Sequence, residues 1–203
     1  MKSFDELAND QTITNAIKAL KTSGIEAMVV ENGLDAKEKV IQLLPKGAEV
    51  MNMSSVTLET IGIDKEINES GNYDAVKPKL MKMDRQTQAV EMQKLGASPQ
   101  WAVGSVHAVT EDGKVIIASN TGSQLGPYTY AAGHVIWIVG TQKIVKNLDE
   151  GMKRIYEYVL PLETEHMKKL YGVGSNVSKL LIVNKEIVPG RITLIFVKEK
   201  LGF

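Results

Sequence analysis

Two neighbouring segments decide the fold: Gly104-Ser-Val-His-Ala-Val-Thr-Glu-Asp-Gly-Lys-Val-Ile-Ile-Ala-Ser-Asn-Thr-Gly-Ser-Gln-Leu-Gly-Pro-Tyr128 and Gly133-His-Val-Ile-Trp-Ile-Val-Gly-Thr-Gln-Lys143. Apolar runs flank Glu111-Asp-Gly-Lys114. An Asp-Gly pair in that setting predicts a hairpin, because its central residues tolerate positive φ. The polar loop from Asn120 to Gly133 is long for a compact domain, and such loops are commonly functional. Its Asn, Thr, Ser and Gln side chains, closed by Gly126-Pro127, suit a ligand-shaped turn. Val135 to Val139 is continuously apolar, the signature of a strand covered on both faces.

Working outward, helix and strand patterns alternate. Ser3 and Glu6 have capping-box spacing for a helix carrying Leu7, Ile13, Ile17 and Leu20, with Asn9-Asp10 as a break point. Ser23-Gly24 ends this N-terminal segment, residues 1–24. Strands are expected at Ile25 to Val30 and Ala48 to Met53, with a helix at Asp35 to Leu44 between them, stopped by Pro45 and Gly47. Arg85 to Leu95 reads as helix. Ala102 to Val109 reads as a strand with Val103, Ser105, His107 and Val109 on one face. Leu148 to Tyr171 is a long helix that Pro161 kinks or splits. Strands at Lys179 to Val183 and Ile192 to Val197 close the chain, the latter an exposed edge through which a homo-oligomer could form. The class is α/β, a mostly parallel sheet with flanking helices and a β-hairpin insertion around residues 103–119, in one domain over 1–203.

Composition narrows the function. Lys+Arg and Asp+Glu each total 24, and formal net charge is +0, so the basic excess of a nucleic-acid binder is missing. Lys77, Lys79, Lys82 and Arg85 form a basic run without interleaved aromatics and read as a solvated face. With 43% hydrophobic and 24% charged residues the chain is ordinary globular, and no stretch approaches a membrane span. A cytoplasmic location is expected. The sequence has 0 Cys, which excludes thiolate zinc sites and cysteine-held iron–sulfur clusters within the chain. His107, His134 and His166 have no metal-ligand spacing, so no metal is expected, and His107 reads as a core histidine. Gly172-Val-Gly-Ser-Asn176 follows a helix, the wrong context for a nucleotide loop, and reads as a helix-to-strand turn.

Three polar segments follow strands: Asn52 to Glu59, Asn120 to Gln124, and Gly140 to Lys143. In open α/β sheets ligands bind beyond the carboxyl ends of strands. If these turns meet, Asn52, Ser54, Ser55, Thr57, Asn120, Thr121, Gly122, Ser123, Gln124, Gly140, Thr141 and Gln142 supply donors for a small anionic metabolite. Ser54 or Ser55 alternatively only caps a helix. Glu59 is the candidate acid or base, or a first-turn residue complementing the helix dipole. Lys143 is the candidate electrostatic stabiliser.

At Ser55-Val-Thr-Leu-Glu-Thr-Ile-Gly62, Gly104 to Gly113, Ala118 to Tyr128, Val135 to Val145 and Arg154-Ile-Tyr-Glu-Tyr-Val-Leu-Pro-Leu-Glu163, the chain resembles the lactate-utilisation (LUD) domain family, in particular its compact stand-alone bacterial members. The resemblance implies a sheet of the type shared by sugar-phosphate isomerases, CoA transferases and formyltetrahydrofolate cyclo-ligases. It also implies a link to L-lactate oxidation alongside iron–sulfur partner subunits, in which a chain without cysteine is a non-redox component. The reading that follows is a binder of a small anionic, acyl or phosphoryl ligand. The alternatives are an acyl- or phosphoryl-transfer, isomerase or cyclo-ligase enzyme on the same scaffold, and an accessory subunit without chemistry.

Overall fold

Helix α1 (Asp10–Thr22) leads into strand β1 (Glu26–Val30), helix α2 (Gly33–Leu43), strand β2 (Glu49–Asn52) and two short helices, α3 (Val56–Ile61) and α4 (Ile63–Glu69). A two-residue strand β3 (Asp74–Ala75), helices α5 (Val76–Lys82) and α6 (Ala89–Ala97), and strand β4 (Trp101–Gly104) follow. The hairpin β5 (Ala108–Thr110) and β6 (Val115–Ser119) precedes a π-helical turn at Pro127–Ala131, strand β7 (His134–Gly140) and the short β8 (Ile144–Val145). Helix α7 (Leu148–Lys153) passes through a π-helical stretch, Arg154–Val159, into α8 (Leu160–Tyr171), and β9 (Lys179–Val183) and β10 (Ile192–Val197) complete the chain. This is a computed structural model, and it describes residues 3–203; Met1 and Lys2 of the expected N-terminal segment lie outside the described residues.

Six strands form a parallel sheet in the order β1-β10-β7-β4-β2-β3. The period of two divides each central strand between two cores. Val135, Trp137 and Val139 of β7, with Leu194 and Phe196 of β10, face one core. Ile136, Ile138, Ile195 and Val197 face the other, where α2, α3 and α4 contribute Ala36, Val40, Leu58, Ile63 and Ile67. These strands are apolar on both faces because both faces are covered.

The first core is closed by α1 and by a second sheet, ordered β8-β5-β6-β9 and mixed in direction. The outer face of that sheet carries Ala108, Ile116 and Ala118, packed against Val145 and Ile155. Gly151 of α7 permits the approach, since a Cβ there would meet Ile116 Cδ1 at 2.3 Å.

Four local expectations are corrected. The Ser3–Glu6 capping box does not start a helix: the Ser3 hydroxyl turns to Asp5, and α1 begins behind Asn9, whose Oδ1 accepts the Thr12 N–H at 2.9 Å. The expected strand from Ala102 to Val109 is two strands in different sheets, since the chain leaves the parallel sheet after Gly104 and re-pairs when the His107 N–H reaches Ile116 O at 3.0 Å. Ile192–Val197 is not an edge, because β10 is hydrogen-bonded to β1 on one side and β7 on the other. Ser55 stands at the N-cap of α3 but its hydroxyl makes no capping bond.

Candidate functional site

Strands β2, β4 and β7 are parallel neighbours, so their carboxyl ends emerge on one rim. Ser54 and Ser55 follow the first, Ser105 the second and Lys143 the third. The mixed sheet brings the start of the polar loop to the same place, because β6 ends at Ser119. Between these turns and the α7–α8 arm lies a cleft of about 340 Å³, lined by Ser54, Ser55, Thr57, Ser105, His107, Asn120, Thr121, Ser123, Gln124, Tyr128, Lys143 and Glu163, among others.

Lys143 is the chemically distinctive member. It is 3% exposed, and its Nζ lies 3.2 Å from Thr57 Oγ1 and 3.1 Å from Ser105 Oγ. The Thr57 hydroxyl donates to Leu201 O at 3.2 Å, which commits its one hydrogen, so it can only accept from the amine. None of the ion pairs among the described residues includes Lys143. Burial, and after it the charge of Arg154, holds the amine well below the usual lysine range.

Arg154 is a second cation of this kind. It is 0% exposed, donates from Nη1 to His107 O at 2.5 Å, and lies 5.3 Å from the Tyr158 ring centroid. Its Nε and Nη2 have no hydrogen-bond partner. Burial lowers its pKa to about 10. His107 Nδ1 accepts the Ala118 N–H at 3.1 Å, which assigns the hydrogen of the neutral ring to Nε2. Burial, with the charges of Lys143 and Arg154 adding to it, pulls this imidazole down to about 3, so it is a neutral donor near neutral pH.

Glu163 completes the set from α8. Burial raises its carboxyl above the usual range; the charge of His166 opposes this and that of Glu59 adds to it. Tyr128 is raised as well, chiefly by burial, and its hydroxyl fills the space beside Gly104, where a Cβ would stand 1.7 Å from that oxygen. The cleft therefore gathers an amine, a neutral imidazole, a carboxyl with proton affinity and several hydroxyls and amides. Among the described residues no three His, Asp or Glu side chains gather as metal ligands would.

Of the residues anticipated from sequence, Ser54, Ser55, Thr57, Asn120, Thr121, Ser123, Gln124 and Lys143 line the cleft. Asn52, Gly122, Gly140, Thr141 and Gln142 do not. Asn52 is fully buried one step before the lining begins, with neither amide atom partnered. Gly122 packs on Lys179, which stands 2.8 Å from the position of a Cβ. Gly140, Thr141 and Gln142 turn inward under the C-terminal residues: Gln142 Nε2 donates to Leu201 O at 2.9 Å, and a Cβ on Gly140 would meet Glu199 O at 2.7 Å. Glu59 is exposed in the first turn of α3, outside the lining, and that helix has 6 residues, too short for a substantial dipole.

Missing from that set were Ser105, His107, Tyr128, Glu163 and the turn residues Ser175 and Asn176. The Gly172–Asn176 segment is the helix-to-strand turn its context implies, yet it also walls the cleft. Arg154, a charged residue on an otherwise apolar helical face, was the signal that could have drawn attention to the interior.

A model of the LUD domain matches residues 13–197. The chain belongs to the LUD domain family. A solved structure of a DUF162 family protein from Deinococcus radiodurans superposes on it with a TM-score of 0.57, covering 95% of this chain and 99% of that one at 11% identity. At that identity the likeness concerns the fold alone. No curated protein matches the chain.

Proposed function

We propose that this LUD domain binds a small anionic metabolite, of carboxylate, acyl or phosphoryl type, at the carboxyl ends of β2, β4 and β7. The observation that carries the reading is two buried basic side chains, Lys143 in the lining of a cleft rich in donors and Arg154 next to it, with no carboxylate paired to either among the described residues. Burying a cation without a counter-charge costs several kcal/mol, and an incoming anion recovers part of that cost. Ser54, Asn120, Ser123 and Gln124 would orient the ligand, and the His107 Nε2–H would donate to it. Within lactate utilisation, the association carried by the family name, such a domain would serve as a non-redox component beside iron–sulfur partner subunits.

Isothermal titration with lactate, pyruvate, phosphate and an acyl-CoA tests the reading. Binding of at least one anion is expected, weakened in Gln124→Ala and lost in Lys143→Met, with Thr141→Ala unchanged because Thr141 is outside the cleft. Absence of binding by every anion would overturn it.

A further inference from the structure

We propose that Lys143 is a nucleophile: its Nζ condenses reversibly with the carbonyl carbon of a small anionic carbonyl compound, an aldehyde or ketone carrying a carboxylate or phosphate, to form an imine. The inference rests on the anion-binding reading, since the anionic group is what holds the carbonyl in the cleft.

Geometry supports it. A lysine whose task is only to hold an anion works best where solvent and neighbours keep it charged. Lys143 instead is buried in the lining of the cleft, with two hydroxyls at 3.2 and 3.1 Å as its only hydrogen-bond partners among the described residues. Buried, uncompensated amines are the ones available as nucleophiles, because the lone pair is exposed when the nitrogen is uncharged. Its cationic neighbour, Arg154, disfavours the ammonium further. Thr57 fixes one N–H direction, as its own hydrogen is committed to Leu201 O. Ser105 has no such commitment and can pass a proton between nitrogen and the developing hydroxyl.

The step balances without an external reagent. The lone pair of Nζ attacks the carbonyl carbon, and one nitrogen proton moves to the carbonyl oxygen, giving a carbinolamine. Glu163, the carboxyl in the cleft with raised proton affinity, donates a proton to that hydroxyl, which leaves as water. The remaining nitrogen proton returns to Glu163, leaving a neutral imine; the net change is loss of one water. His107 lines the same cleft, so its Nε2–H would donate to the anionic group or the carbonyl oxygen.

Reductive trapping tests this on the intact chain. The protein is incubated near neutral pH with cyanoborohydride and one of three probes: glyoxylate, glycolaldehyde phosphate or propanal. Modified lysines are then located by peptide mass analysis. Lys143 is expected to be labelled by an anionic probe several times faster than the surface lysines, because the cleft holds the carbonyl beside an amine that burial disfavours as the ammonium. The label should be absent in Lys143→Met and slowed in Ser105→Ala. Whichever of the first two probes reacts faster identifies carboxylate or phosphate as the anionic group. Labelling of Lys143 no faster than the surface lysines overturns the inference, and equal labelling by propanal overturns the anionic class of substrate. Titration with acetate and phosphate, which have no electrophilic aldehyde or ketone, separates the two readings. Anion binding without labelling removes the imine and leaves the binding site, whereas absence of both removes both.

Discussion

Two buried arginines in this molecule are treated in opposite ways. Arg191, at the start of β10, is 7% exposed and fully engaged. Nη1 meets Glu186 Oε2 at 2.6 Å, Nη2 donates to Pro127 O and Tyr128 O at 3.0 Å each, and Nε donates to Ala132 O at 3.1 Å. Arg154, at 0% exposure, has one carbonyl and one aromatic face, and the amine of Lys143 nearby has two hydroxyls. The first cation ties the polar loop's π-helical turn to the sheet. The others raise the free energy of the empty fold, and that uncompensated charge is a reservoir that a ligand can use. A buried cation with a full set of acceptors holds structure; one without them marks a site.

The largest effect should come from breaking the satisfied pair. Arg191→Met leaves the Glu186 carboxylate without its guanidinium and takes a donor from three carbonyls, of which Pro127 O keeps the Ala132 N–H, and is expected to cost about 3–5 kcal/mol in urea-induced unfolding at neutral pH. A loss below about 1 kcal/mol would mean that Arg191 and Arg154 do not differ as described.

Acid comes next, through His107. Its folded pKa lies near 3, below the ordinary 6.5, so between those values the unfolded chain binds a proton that the folded chain does not. Its contribution is complete above pH 6.5 and lost as pH falls toward 3. For a half-buried ring, going from pH 7 to pH 4.5 should remove about 2 kcal/mol. His107→Asn keeps an acceptor for the Ala118 N–H and removes the titration, so its stability should fall less over that interval. Parallel wild-type and variant curves would mean that burial and the nearby Lys143 and Arg154 do not hold the His107 ring neutral.

Lys143→Met should act in the opposite direction to Arg191→Met. Removing an unpaired buried amine while keeping its apolar stem is expected to stabilise the fold by about 1–2 kcal/mol while ending ligand binding. Linkage gives the sign with pH. The folded pKa is lowered, so the unfolded chain binds the proton more readily, and the wild type should gain stability as pH rises toward the ordinary lysine value. Comparing unfolding midpoints of the two proteins at pH 7 and pH 9 checks this, since the gap between them should narrow at the higher pH.

The difference between the cations also marks where sequence reasoning stops. The apolar run of β7 and the Asp-Gly turn of the hairpin are local signals, and the fold class followed from them. Strand ends carry the site in such sheets, so Ser54, Asn120 and Lys143 could be named before any contact was known. Residues whose role depends on non-local packing were out of reach. Ser105 and His107 looked like alternating members of one strand until the break after Gly104 sent the chain to another sheet. Arg154 and Glu163 sit on an arm that no local pattern directs back over the cleft. The inward turn of Gly140–Gln142 depends on Leu201, almost 60 positions downstream, the separation of the Gln142–Leu201 bond being 59.

The smallest effect belongs to a polar group that is unsatisfied without being part of the site. Thr141 is 0% exposed, its hydroxyl has no partner, and it does not line the cleft. If every unsatisfied buried polar atom marked function, Thr141→Val would impair ligand binding. The contrast of Arg191 with Lys143 gives another expectation, because Lys143 is an unpaired basic group that lines the cleft. Valine matches threonine in shape and removes a hydroxyl held from water without compensation, so stability should rise by up to about 1 kcal/mol. Anion affinity should be unchanged within error. A fall in affinity without a fall in stability would extend the site inward beneath Gly140, and Asn52, with both amide atoms unpartnered, would then be the next position to test.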